Sequence, residues 1–246
     1  MAHRTRKRLT KTELKKDPIN DAIMNSVTYL QDHLKQFIIG AAVLVVLVLI
    51  FQSVTQNADR QANDASAQYY LAGQLYDMGM NSFRYGQFEM AIGQLQTARQ
   101  IASNNFRTYP GRISGKRSAI LAAKIGIMLS MESEVIPTLQ SFIASDPGAD
   151  IENSARLHLA IALENRGGEN DLVNAQNLYS EILDNTDERS QLAWESYYGL
   201  SRILFRSNDY ETSRQYLQSA LEISRDTTDF MYYQIARLDM VTDNRD

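Results

Sequence analysis

The chain of 246 residues contains no cysteine, which excludes disulfides, thiolate nucleophiles and Cys-ligated metals together. Histidine is scarce as well. His3, His33 and His158 are the only three, and no two stand at metal-ligand spacing, so each reads as a structural histidine. No glycine-rich loop is built to cradle a phosphate. Gly79 and Gly86 belong to a helical pattern, and Gly167-Gly168 to a turn. Asp184, Asp187 and Glu188 lack the glycine and the spacing of a calcium loop. No motif places a serine, a histidine and an aspartate together. Strand-like alternation is absent too. The expectation is an all-α protein with no catalysis, no cofactor, no metal and no small-molecule substrate.

Basic residues are rare in the larger part of the chain. Of 25 Lys and Arg, eight lie in residues 1–56 beside four acids; residues 57–246 hold the other 17, against 25 acids. A part with that acid excess is a poor match for a polyanion, so nucleic acid is not an expected partner.

What is present is one long apolar run. Residues 37–51, FIIGAAVLVVLVLIF, carry no charged or hydrogen-bonding side chain. Extended to residues 34–54, the run has only Lys35, Gln36, Gln52 and Ser53 as polar members, all near its ends. That length suits a bilayer core of about 30 Å, which needs about 20 helical residues. The apolarity is continuous around the helix rather than confined to one stripe, which argues for lipid on all sides. Thirty-six residues precede the run, more than a bacterial signal peptide carries, and Ala65-Ser66-Ala67 lies too far beyond it for a cleavage site. The expectation is one uncleaved span over about residues 35–54. Arg4, Arg6, Lys7, Arg8, Lys11, Lys15, Lys16 and Lys35 precede it, and only Arg60 falls in the twenty residues after Phe51. Basic flanks stay on the cytoplasmic side, so the N-terminus is expected there and residues 57–246 outside. The tail of residues 1–18 is expected to touch anionic lipid. Residues 19–56 are expected to form a juxtamembrane helix and the span.

The outer part shows a repeat. In residues 75–98, Met78-Gly79, Gly86, Phe88, Ala91, Leu95 and Ala98 fall at the offsets of the 34-residue tetratricopeptide pattern. Small residues sit where two helices approach, and large apolar ones between. Residues 197–220 repeat the offsets through Leu200-Ser201, Asn208, Tyr210, Ser213, Leu217 and Ala220. Two looser copies lie between them, over residues 118–147 and 153–183. A last amphipathic helix over residues 226–241 is expected to cap the stack, because an open solenoid end exposes its core. The predicted architecture is therefore an N-terminal transmembrane helix followed by a tetratricopeptide-like α-hairpin solenoid of about four hairpins.

The basic tail over residues 6–18, with its LTKTELKKDP, the single span and the helical repeats together resemble the YfgM-like proteins, ancillary subunits of the SecYEG translocon in bacterial inner membranes. The resemblance implies a bacterial inner-membrane protein with a periplasmic domain. It also implies translocon subunits and a periplasmic chaperone network, including the prolyl isomerase PpiD, as partners.

In a stack of this type the first helix of each hairpin lines the concave face. The offsets place Tyr76, Met80 and Phe83 there from the first repeat, Leu157 and Ile161 from the third, and Tyr198, Arg202 and Phe205 from the fourth. Aromatic and Met side chains bury apolar groups of a peptide, and Arg202 would meet a carboxylate. The same residues would equally well fill the inside of a tight superhelix. Two functions follow: recruitment of chaperones or unfolded clients at the translocon, or a scaffolding subunit of another inner-membrane complex.

Overall fold

The structure, a computed structural model, describes residues 18–223. The basic tail of residues 1–17 and the helix expected over residues 226–241 lie outside the described residues. Among the described residues every regular element is an α-helix. The chain divides into two compact units, Met1–Arg60 and Gln61–Asp246, and the division falls inside a helix.

In the first unit, α1 (Pro18–Asp32) and the start of α2 (Leu34–Arg84) are separated at His33. The His33 ring donates through Nδ1 to the Tyr29 carbonyl at 3.0 Å and stacks on the Tyr29 ring at 4.3 Å. α2 is the one helix among the described residues long and apolar enough to cross a membrane, and none of its apolar stretch is buried. Ile39, Leu44, Leu47 and Phe51 are all more than half exposed. A helix that shows hydrocarbon on every side has no core of its own to join.

The second unit is built from the C-terminal part of α2 and seven further helices among the described residues. These are α3 (Phe88–Thr108), α4 (Ile113–Met128), α5 (Glu132–Ala144), α6 (Ala149–Arg166), α7 (Glu169–Asp184), α8 (Gln191–Arg206) and α9 (Tyr210–Ile223). From α3 onward each helix packs on the next, and α6 also touches α4 and α8. Alternate helices therefore share a layer: α4, α6 and α8 on one side, α3, α5, α7 and α9 on the other.

Four turns reverse the chain in a common way. Gly86, Ser130, Gly167 and Asn208 follow α2, α4, α6 and α8, and all have positive φ, between 57° and 75°. The residue after three of them donates back five positions: Gln87 to Ser82, Met131 to Gly126, and Asp209 to Leu204, at 2.9–3.0 Å. This is the hydrogen bond of a Schellman stop, which satisfies carbonyls left over at a helix end. Asn208 stands where Gly86 stands in the first pair, and asparagine is among the few side chains that tolerate the left-handed region.

Close packing depends on small residues. Gly79 on α2 faces α3, and a Cβ added there would stand 2.9 Å from Leu95 Cγ and 3.3 Å from the Ala91 carbonyl oxygen. Gly199 on α8 lies directly under the Tyr179 ring of α7, where any Cβ would collide with the ring carbons. Tyr179 is thereby the largest fully buried side chain of the unit. Around it Leu139, Phe142, Ala155, Leu163 and Ile182 form the main core.

Candidate partner-binding groove

The first helices of the pairs line a cavity of about 630 Å³. Tyr69 enters from α2. Arg117, Ile120, Leu121 and Lys124 come from α4. From α6 come Asp150, Ile151, Ser154, His158 and Ile161, and from α8 comes Glu195. No residue of α3, α5, α7 or α9 lines it. The floor is apolar and the walls carry charge. Two cations stand on α4, with Asp150 on α6 and Glu195 on α8. Neither Arg117 nor Lys124 has an ion-pair partner among the described residues.

The lining repeats every two helical turns. Arg117 and Lys124 are seven apart on α4, and Ile151 and His158 on α6; on α2 Tyr69 lines the cavity, and Tyr76, seven further on, lies beyond it against the Leu95 cluster. A transverse row connects them. The Lys124 ammonium lies 4.9 Å from the Tyr76 ring centroid. His158 feels both Lys124 and Glu195, with opposite sign. Burial holds the His158 imidazole below its ordinary pKa of 6.5, so it is neutral near pH 7. Its Nδ1 donates to the Ser154 carbonyl at 2.8 Å, which fixes the tautomer and leaves Nε2 as the acceptor.

The residues expected at the site divide. Ile161 lines the cavity. Tyr76 stands under Lys124 and packs on the cluster of Leu95 and Ile125. Met80 is half-buried on α2. Phe83 joins the Leu95 cluster, 6.0 Å from the Phe88 ring. Leu157 is 2% exposed and belongs to the core, so it has no surface to offer a partner. Its neighbour His158 faces the groove instead, a slip of one position.

Tyr198, Arg202 and Phe205 serve other contacts. Tyr198 is sandwiched between Trp194, 5.8 Å away, and the Arg202 guanidinium at 4.5 Å. Arg202 does meet a carboxylate, but an internal one: Nε and Nη2 donate to Glu164 at 2.8 and 2.7 Å. Tyr179 Oη donates to the same carboxylate at 3.0 Å, and Arg206 Nη1 to the Glu164 carbonyl at 3.1 Å. Burial, with the Glu164 charge beside it, pushes the Tyr179 hydroxyl well above its usual range, so it stays a donor. Burial works against the Arg202 charge, and the Glu164 hydrogen bonds more than offset it. Phe205 packs edge-on against Tyr210 at 5.3 Å. These three residues join α8 to its neighbours.

Sequence reasoning missed Tyr69, Arg117, Lys124 and Glu195. The seven-residue spacing of Arg117 and Lys124 on α4 is a signal that finds those two; Tyr69 and Glu195 are each the single lining residue of their helix and carry no such mark. Among the described residues no group of three or more His, Asp or Glu is placed to hold a metal.

No family model and no curated protein matches the chain. A solved structure described as "MamA RS-1 ArsTM double mutant" is similar to it at 17% identity, over 73% of this chain and 96% of that one, with a TM-score of 0.39.

Proposed function

We propose that this protein is a membrane-anchored protein–protein interaction module. Its outer unit is a tetratricopeptide-like solenoid that receives segments of partner proteins in the groove of α2, α4, α6 and α8. The observation that carries the reading is the lining itself. One helix from each pair meets its counterparts around an apolar floor, beside Arg117 and Lys124, two cations with no ion-pair partner among the described residues. Apolar pockets with a few placed polar groups are the usual form of a binding site. A scaffold alone has no need of an open recess at that place.

The finer reading rests on the sequence. Residues 35–54 anchor the protein in a bacterial inner membrane, the N-terminus is cytoplasmic and residues 57–246 are periplasmic. Its partners are translocon subunits and a chaperone or unfolded client, and it catalyses nothing. Gentle detergent extraction followed by affinity purification tests this. Translocon subunits should co-purify with the parent chain and fall at least tenfold with the pair Leu121→Asp and Ile161→Asp. Recovery of a different stable complex, unaffected by the pair, would favour the scaffolding role instead.

A further inference from the structure

We infer that the groove's occupant is an amphipathic α-helix whose apolar stripe is flanked by acids on one side and bases on the other. The inference rests on reading the groove as a partner site. Its first support is the period. Arg117 and Lys124 are seven residues apart on α4 and so about 10.5 Å apart along the helix axis, at a rise of about 1.5 Å per residue. In an extended segment, side chains on one face recur at about 6.6 or 13 Å, so two acids on one face match the two cations less closely. In a helix lying along α4, acids at i and i+7 repeat at the same 10.5 Å. The lining pair Ile151 with His158 on α6 keeps this period.

The second support is the division of charge. Arg117 and Lys124 stand on α4, whereas Asp150 and Glu195 stand across the cavity on α6 and α8. Residues 90–131 contain no Asp or Glu at all, so the α4 wall has no acid of its own to neutralise it. Between the walls lie Ile120, Leu121, Ile151 and Ile161. A helix laid in a hydrophobic groove is a recurrent recognition mode, read through anchors at i, i+3, i+4 and i+7. The wall charges then select which flank faces which side, since like charges brought together are rejected.

The test uses the full chain in detergent micelles and a fluorescein-labelled synthetic helix of about 21 residues, long enough to be helical alone. It carries a leucine stripe, Glu every seven residues on one flank and Lys on the other. Anisotropy titrations should show binding to the parent chain. A copy of the peptide with a central proline should bind at least tenfold more weakly. The variant Arg117→Glu with Lys124→Glu should also lose at least tenfold, and a peptide with Lys in place of the Glu flank should recover the loss. Both substituted residues are exposed, and far-UV circular dichroism checks that the fold is kept. Micelle binding is common to the protein variants compared and cancels between them; between peptides it is subtracted with a titration of protein-free micelles. Equal binding of the proline peptide, or no change on charge reversal, overturns the inference. If the helix fails while translocon subunits still co-purify in a Leu121- and Ile161-dependent way, the inference alone fails and the partner site stands.

Discussion

At the scale of single residues, Glu164 is a tight constraint in the second unit. Its residue is 2% exposed, and its carboxylate is held by Arg202 and Tyr179. A buried charge that loses one partner keeps its desolvation penalty without compensation. Arg202→Met should therefore lower stability by about 2–3 kcal/mol, less than a fully buried pair would lose because the arginine is itself partly exposed. Adding Glu164→Leu to that variant should restore most of it, which urea titrations would show as a positive coupling. A cycle in which the two losses simply add would mean the clasp is unimportant. A second residue tests the turns. Ser130 has φ 57°, a region that costs a side chain about 1–2 kcal/mol. Ser130→Gly should raise stability by up to about 1 kcal/mol, reduced by the extra freedom glycine gains when unfolded. A fall in melting temperature would show that the serine is not strained there.

The scale of the element explains which parts were legible in the sequence. The α2–α3 and α8–α9 pairs carry strong cues: Gly79 against Ala91, Ser201 hydrogen-bonded to Ser213, and a left-handed residue at each turn. There the repeat offsets and the observed contacts agree. α4 is different, because the second half of its sequence ISGKRSAILAAKIGIM has Lys124 as its one polar side chain. Ala119, Ala122 and Ile125 go into the core while Ile120 and Leu121 line the groove, and hydrophobicity alone cannot separate the two sets. On α6 the same ambiguity favoured Leu157 over His158. Arg202 was misread for a different reason: its partner, Glu164, is 38 residues away on another helix. Ala91→Leu checks the α2–α3 contact. Its side chain has no exposure, so the larger residue should cost about 1–3 kcal/mol in thermal melts. Unchanged stability would mean that the two helices do not meet there.

His158 gives the α6 face a pH signature. Its pKa is depressed in the folded chain, mainly by burial, from the ordinary 6.5. Well above pH 6.5 both states are neutral and the residue contributes nothing to the pH slope. As pH falls below 6.5 the unfolded chain takes up a proton before the folded one, so the folded state loses stability. Denaturation curves from pH 7.5 to 5 should therefore fall more steeply for the parent chain than for His158→Gln. Parallel slopes would show that the imidazole is solvated after all.

At the scale of the whole molecule, the account joins an apolar helix to a unit with a charged groove. The apolar helix was legible because its one signal, hydrocarbon on all sides over residues 37–51, is present without reference to any other part of the chain. The groove was only half legible, since it depends on four helices meeting in register. Orientation is an independent expectation: protease added to spheroplasts should digest the outer unit and spare the N-terminal tail, and a protected outer unit would reverse the orientation. The central claim, that partners lie in the groove of α2, α4, α6 and α8, is tested most directly by site-specific photo-crosslinking in living cells. A photoreactive residue is placed in turn at Ile161 in the groove and at Val173, exposed on α7 away from it. The account predicts discrete crosslinked proteins from position 161 and none of them from position 173. The same adducts from both positions, or adducts from position 173 alone, would contradict it.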